Sequence, residues 1–176
     1  MSRLEELERG PFTVNRTDHE HLSRALAEEL AELAVAGGIR IAVAESLTCG
    51  LISTTLGAAP DASEWFAGGV VAYSNHVKTA TLGVPPGPVI TAKCAREMKD
   101  GIIDLVGAEY AVAVTGVGGP GEEEGKPAGR VYVCSGDSES SLQFEHDFPG
   151  DPESVLAATV AHALRALLEA VQRQPS

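Results

Sequence analysis

The sequence predicts an α/β fold, a three-layer α/β/α sandwich with a mostly parallel central sheet and an antiparallel edge hairpin. Three observations predict it. Short runs of branched apolar residues alternate with longer segments whose apolar residues recur every three to four positions. Three of the short runs end in polar or glycine-rich turns that open the next segment. The last two runs, Arg130 to Cys134 and Ser141 to Glu145, are joined by a turn at Gly136-Asp137, as an antiparallel hairpin would be.

Taken in order, residues 1–18 mix charges of both signs around a Gly10-Pro11 break and read as a flexible N-terminal extension, with a single domain over 19–176. From Thr17-Asp18 onward, Leu22, Ala25, Leu26, Leu30, Leu33 and Ala34 mark an amphipathic helix that stops at Gly37-Gly38. Ile39 to Ala44 is a buried parallel strand by its unbroken apolar character, ending at Glu45-Ser46 and followed by a helix over roughly 49–56. Gly68 to Tyr73 repeats the pattern and feeds a helix at Ser74-Asn75. After Pro85-Pro-Gly-Pro88 come a helix from about Thr91 to Leu105, the strand Tyr110 to Val114 and the glycine-rich loop Thr115 to Gly121. Beyond the hairpin, Pro152 to about Val171 is a C-terminal helix with Val155, Leu156, Thr159, Val160, Ala163, Leu164, Leu167 and Leu168 on its apolar face.

Charge and composition narrow the function. With 13 Lys and Arg against 25 Asp and Glu, the net charge of −12 supplies no basic face for nucleic acid or for an anionic membrane. No apolar run approaches the roughly 20 residues of a membrane helix, and Met1 to Arg9 lacks the apolar core of a signal peptide, so the expected location is the cytoplasm. Cys49, Cys94 and Cys134 are odd in number and widely spaced, which predicts free thiols, and no two histidines stand at helical i, i+4 spacing for a metal. No metal and no cofactor are expected.

In open α/β sheets, ligands bind beyond the carboxyl ends of the strands, and three such ends carry reactive residue types. At Glu45 to Gly50, Ser46 leaves a buried strand beside main-chain N–H groups that could hold an oxyanion; equally, Ser46 and Thr48 could simply cap the next helix. At Tyr73 to Lys78, a lysine near the start of a helix meets the positive end of the dipole, which lowers its pKa and suits it to deprotonate a serine. The plainer alternative is a surface lysine with Tyr73 at the core edge, and His76 is a rival base. The Thr115 to Gly121 loop could cradle an anion or could be only a tight turn; it is neither G-x-G-x-x-G nor a P-loop. The acidic Glu122 to Glu124 triplet reads as a solvated loop tip.

Ala44-Glu-Ser-Leu-Thr-Cys-Gly50, Gly68-Gly-Val-Val-Ala-Tyr-Ser-Asn-His-Val-Lys78 with Leu82-Gly-Val84, Ala111-Val-Ala-Val-Thr-Gly-Val-Gly-Gly-Pro-Gly121 with Lys126-Pro-Ala-Gly-Arg-Val-Tyr132, and Phe148-Pro-Gly-Asp151 follow one another in order. From about residue 20 to 172 the chain resembles the CinA C-terminal domain family. The resemblance implies a nicotinamide-nucleotide amidohydrolase, which converts nicotinamide mononucleotide to nicotinate mononucleotide and ammonia in pyridine-nucleotide salvage. It implies Ser46 as nucleophile, Lys78 as base and Tyr73 as the partner of Lys78. Glu45, Thr48, Cys49, Gly50, Thr115, Gly116, Gly118, Gly119 and Arg130 are the expected substrate-binding residues, with oxyanion donors either near Thr48 to Gly50 or in the Gly116 to Gly119 loop. The expected partners are a small nucleotide substrate and further copies of the chain in a homodimer or larger homo-oligomer.

The chain also departs from the family pattern. Cys49 stands where a glycine is usual, Pro152 and Leu156 where arginines are usual, and Gly87-Pro-Val-Ile-Thr91 replaces a Gly-Ala-Val-Ser segment. Proline and leucine cannot clamp a phosphate as guanidinium does. Three readings follow: a deamidase whose phosphate contacts come from the glycine loop with Arg130 or Lys126; a hydrolase of a less anionic amide; or a non-catalytic nucleotide-binding or assembly protein.

Overall fold

A computed structural model describes residues 15–173. Residues 1–14 of the expected extension lie outside the described residues, whereas residues 16–18 already belong to the first helix. That helix, α1 (Arg16–Gly37), starts behind Asn15, whose side chain accepts from the Asp18 N–H while Asp18 reaches back to the Asn15 N–H. This reciprocal capping box lies just upstream of the expected start, and Gly38 ends the helix in the left-handed conformation at φ 61°. The chain continues through β1 (Ile41–Glu45), α2 (Leu51–Gly57), the short α3 (Ala62–Trp65), β2 (Phe66–Val71) and α4 (Asn75–Leu82). It closes with α5 (Ala92–Val106), β3 (Tyr110–Gly116), β4 (Arg130–Gly136), β5 (Ser141–Asp147) and α6 (Pro152–Gln172). Ser74, Thr91 and Asp151 cap α4, α5 and α6 through their side chains.

The five strands form one sheet in the order β2-β1-β3-β4-β5. β1 pairs in parallel with β2 and β3, and β4 pairs antiparallel with β3 and β5. The expected edge hairpin is present, but the sheet is mixed rather than mostly parallel. The cause is local. Between β3 and β4 no crossover helix intervenes, and without one the chain returns alongside β3 in the opposite direction.

β1 is buried throughout, and its side chains alternate between two core clusters. Ile41 and Val43 join Val112, Val114 and residues of α1, α2 and α6; Ala42 and Ala44 join Ala111, Ala113 and residues of α4 and α5. Large side chains face one set of helices and alanines the other, where Met98 and Ile102 fill the space. The outer strands β2 and β5 alternate between half-buried and exposed positions. Helix α6 is long and apolar enough, by length and composition alone, to cross a membrane, yet 67% of its most apolar window is buried inside the fold. Polar residues interrupt the stretch, so no unbroken apolar run announces it, and its burial marks a core helix.

Candidate active site

Strand register builds the site. Glu45 is level with Val71 of β2 and Val114 of β3, so the residues that follow each strand emerge side by side at one edge of the sheet. The ladder runs one step further: the Ser46 N–H donates to Val114 O at 3.2 Å and the Ala72 N–H to Glu45 O at 2.7 Å. Ser46, Tyr73 and Thr115 are thereby delivered to neighbouring positions from three distant parts of the chain.

Lys78 comes from the second turn of α4 and is 1% exposed. Its Nζ lies 3.0 Å from Ser46 Oγ and donates to the main-chain carbonyl of Tyr73 at 3.2 Å. Burial pushes the amine below the ordinary lysine value, while Cys94, Glu123 and Glu124 act in the opposite direction. Cys94 is itself buried, and its thiol is pushed up to about 11 by that burial, so it stays neutral beside the amine. Tyr73 is 67% exposed and borders the cavity; the contact the structure shows to Lys78 is made by its carbonyl.

Glu45 is fully buried, and its carboxylate organises the turn that presents Ser46. It accepts from Thr48 Oγ1 (2.6 Å), Ser53 Oγ (2.7 Å), and the N–H groups of Gly50 (3.1 Å), Ile52 (3.1 Å) and Ser53 (2.8 Å). Helix α2 has no cap from its own N-cap residue, Gly50, so Glu45 satisfies its first N–H groups. The turn passes through two left-handed residues, Cys49 at φ 47° and Gly50 at φ 96°.

On the far side, the glycine loop leaves β3 at Gly116, where a Cβ would stand 2.4 Å from Arg130 O. Only glycine permits that approach. Thr115 Oγ1 donates to Val89 O at 2.8 Å, and Glu124 accepts from the N–H groups of Val89 and Ile90, both at 3.0 Å to its Oε2. Glu124 therefore ties the glycine loop to the 85–90 segment, and the triplet is more than a solvated tip. Between these walls lies a cavity of about 530 Å³, within the range of small-molecule sites.

The profile of the CinA C-terminal domain matches residues 23–171. This chain belongs to the CinA C-terminal domain family. Among relatives, it is 38% identical to the nicotinamide-nucleotide amidohydrolase PncC of Pseudomonas putida, over 82% of this chain and 94% of that protein. It is also 38% identical to a CinA-like protein of Acidobacterium capsulatum, over 72% of this chain but 32% of that protein. The chain spans about a third of the length of several of the curated relatives it matches, 32–37%. Among solved structures, the competence damage-inducible protein A of Klebsiella pneumoniae superposes with a TM-score of 0.83 at 34% identity, covering 87% of this chain and 99% of that one.

Within this CinA domain, Ser46, Cys49, Tyr73, Lys78, Thr115, Gly116, Gly118 and Gly119 all border the cavity. Glu45 and Thr48 are fully buried behind it, and Gly50 lies outside its lining. Arg130 is elsewhere: its guanidinium is bound to Asp147 (2.6 and 3.0 Å) and to Glu145 on β5. Glu122, Glu123, Pro152 and Leu156 border the cavity although no contact was expected of them. The signal was present in the sequence, since these are the acidic triplet and the positions of the departures from the family pattern. Among the described residues, no group of three His, Cys, Asp or Glu side chains is placed to hold a metal.

Proposed function

We propose that this chain is an amidohydrolase in which Ser46 and Lys78 release ammonia from the carboxamide of nicotinamide mononucleotide, leaving nicotinate mononucleotide. The observation that carries this reading is the 3.0 Å separation of Lys78 Nζ and Ser46 Oγ at the wall of an open cavity. Similarity to a nicotinamide-nucleotide amidohydrolase along nearly that protein's whole length supports the substrate class.

In this reading the scaffold is the three-layer sandwich, its two helix sets feeding separate core clusters. The neutral amine of Lys78, oriented by the Tyr73 carbonyl, takes the proton of Ser46 Oγ as that oxygen attacks the carboxamide carbon. The tetrahedral oxyanion is held by main-chain N–H groups of Leu47, Gly118 and Gly119, residues that border the cavity and whose N–H groups have no hydrogen-bond partner among the described residues. The C–N bond breaks, Lys78 passes its proton to the leaving nitrogen, and ammonia departs from an ester on Ser46. Water, deprotonated by Lys78, attacks that ester; Ser46 Oγ leaves and recovers its proton. The sum is carboxamide plus water giving carboxylate and ammonium, with no cofactor in the balance.

Ammonia release from nicotinamide mononucleotide by the purified protein tests the reading. Turnover by the wild type that disappears in Ser46→Ala and in Lys78→Ala is the expected result. Wild-type rates in either variant overturn the pair.

A further inference from the structure

We infer that Glu122 and Glu123 make this cavity select a cationic carboxamide without a phosphate, so that the N-ribosyl pyridinium carboxamide is a better substrate than its 5′-phosphomonoester. The inference rests on the amidohydrolase reading and ranks two pyridinium carboxamides within it, the mononucleotide remaining a substrate of lower efficiency.

Electrostatic accounting of the walls carries it. Among the described residues, Lys78 is the single cationic side chain bordering the cavity, and its Nζ is buried and committed to Ser46 and the Tyr73 carbonyl. Two carboxylates, Glu122 and Glu123, border the same space, and the field of Glu123 reaches Lys78. The nearby start of α6 offers an anion little. Its Ser154 N–H is taken by the Asp151 side chain at 2.8 Å, Pro152 has no N–H, and the nearby cation Arg16 is spent on an ion pair with Glu153 and a contact with Glu20. The remaining candidates to neutralise a phosphate are engaged or displaced: Arg130 pairs with Asp147 and Glu145, and Lys126 borders a separate cavity beside Glu124.

A phosphate dianion would enter this space against two like charges and, among the described residues, meet no uncommitted cation, which lowers its affinity without barring it. An N-ribosylated pyridinium ring carries the opposite sign to both carboxylates, and its uncharged ribose meets the apolar side chains of Pro152 and Leu156. Complementary charge lining a cleft raises the local concentration of one class of substrate and suppresses the other.

The test compares kcat/KM for ammonia release from nicotinamide riboside and from nicotinamide mononucleotide at one ionic strength, beside Ser46→Ala and the double variant Glu122→Gln, Glu123→Gln. The expected result is a preference of about tenfold or more for the riboside, expressed in KM. In the double variant that ratio should narrow at least several-fold, and its pH–rate profile should move to lower pH because a charge favouring the Lys78 ammonium is gone. Equal or greater efficiency on the mononucleotide, with turnover still lost in Ser46→Ala, overturns the inference and leaves the amidohydrolase reading standing. A riboside preference that the double variant does not change overturns the role of the two glutamates. No ammonia from either substrate overturns both readings.

Discussion

In the proposed mechanism, burial prepares Lys78 for proton transfer. An ammonium withdrawn from water loses hydration that a hydroxyl and a carbonyl do not replace, so the neutral amine is favoured and its lone pair becomes available to Ser46. Because the protonated form cannot accept the serine proton, activity should climb with pH as Lys78 deprotonates, with a midpoint below the ordinary lysine value. A pH–rate profile of kcat/KM reads this directly, and a midpoint at the ordinary value would place the amine in water. Lys78→Met, which keeps the stem and removes the base, should cost roughly 10²–10⁴-fold in turnover. Cys49 offers a second prediction at this scale. It is exposed and held at φ 47°, a region that disfavours any side chain with a Cβ. Cys49→Gly should therefore raise the melting temperature by about 2 °C, the equivalent of somewhat under 1 kcal/mol in a domain of this size. A fall in melting temperature would mean that the thiol packs more than its exposure implies.

Between strand and helix, the turn that carries Ser46 is governed from behind. Five donors converge on the Glu45 carboxylate, three of them main-chain N–H groups at or beside the start of α2. Glu45→Gln keeps the shape but places an NH₂ group among donors. It should cost about 3 kcal/mol by denaturant midpoint and lower ammonia release at least tenfold, because the turn loses its anchor. An undiminished midpoint would mean that the helix start is held by other groups. The element also shows what local sequence can reveal. Caps at Ser74, Thr91 and Asp151 act within their own helices and are readable as such. The start of α2 falls at Leu51 rather than near Cys49 because residues 49 and 50 are left-handed, a demand of the turn that composition does not announce. The short α3 has no counterpart among the expected elements, since four residues carry no periodic signal.

Across the whole molecule, α1, β5 and α6 meet at three histidines. The His146 and His162 rings pack edge to face at 4.6 Å, with His19 6.3 Å from His162 and Phe148 alongside. Burial, with His146, His19 and Arg165 acting in the same direction, lowers His162 to about 4; burial lowers His19 and His146 as well. Above pH 6.5 these rings are neutral whether the chain is folded or not. As pH falls below 6.5 the unfolded chain takes up protons that the folded one resists, so stability is lost progressively down to about pH 4. For His162 alone this amounts to about 2 kcal/mol between pH 7 and pH 5. Asp137, Asp147 and Asp151, whose folded values are lowered below the usual carboxylate range, lose their contribution at still lower pH, which leaves this window to the histidines. Denaturant midpoints at pH 7 and 5 should show most of that difference vanish in His162→Phe. An unchanged difference would assign it to other groups.

The amino-acid sequence by itself determined the order and kind of the main elements, the two faces of each central strand, and which residue types stand at the strand ends. Those features arise from alternation, capping and turn chemistry between residues a few positions apart, and such short-range preferences survive whatever the rest of the chain does. Tertiary structure alone decided the mixed sheet, because the direction of β4 depends on how the glycine loop returns beside β3. It decided that Ser46 and Lys78, 32 residues apart, stand within hydrogen-bonding distance, because that follows from the register of β1 against β2. It also decided that Arg130 is spent on β5 while Glu122 and Glu123 border the cavity, since the charge of a cleft is the sum over segments that only packing brings together.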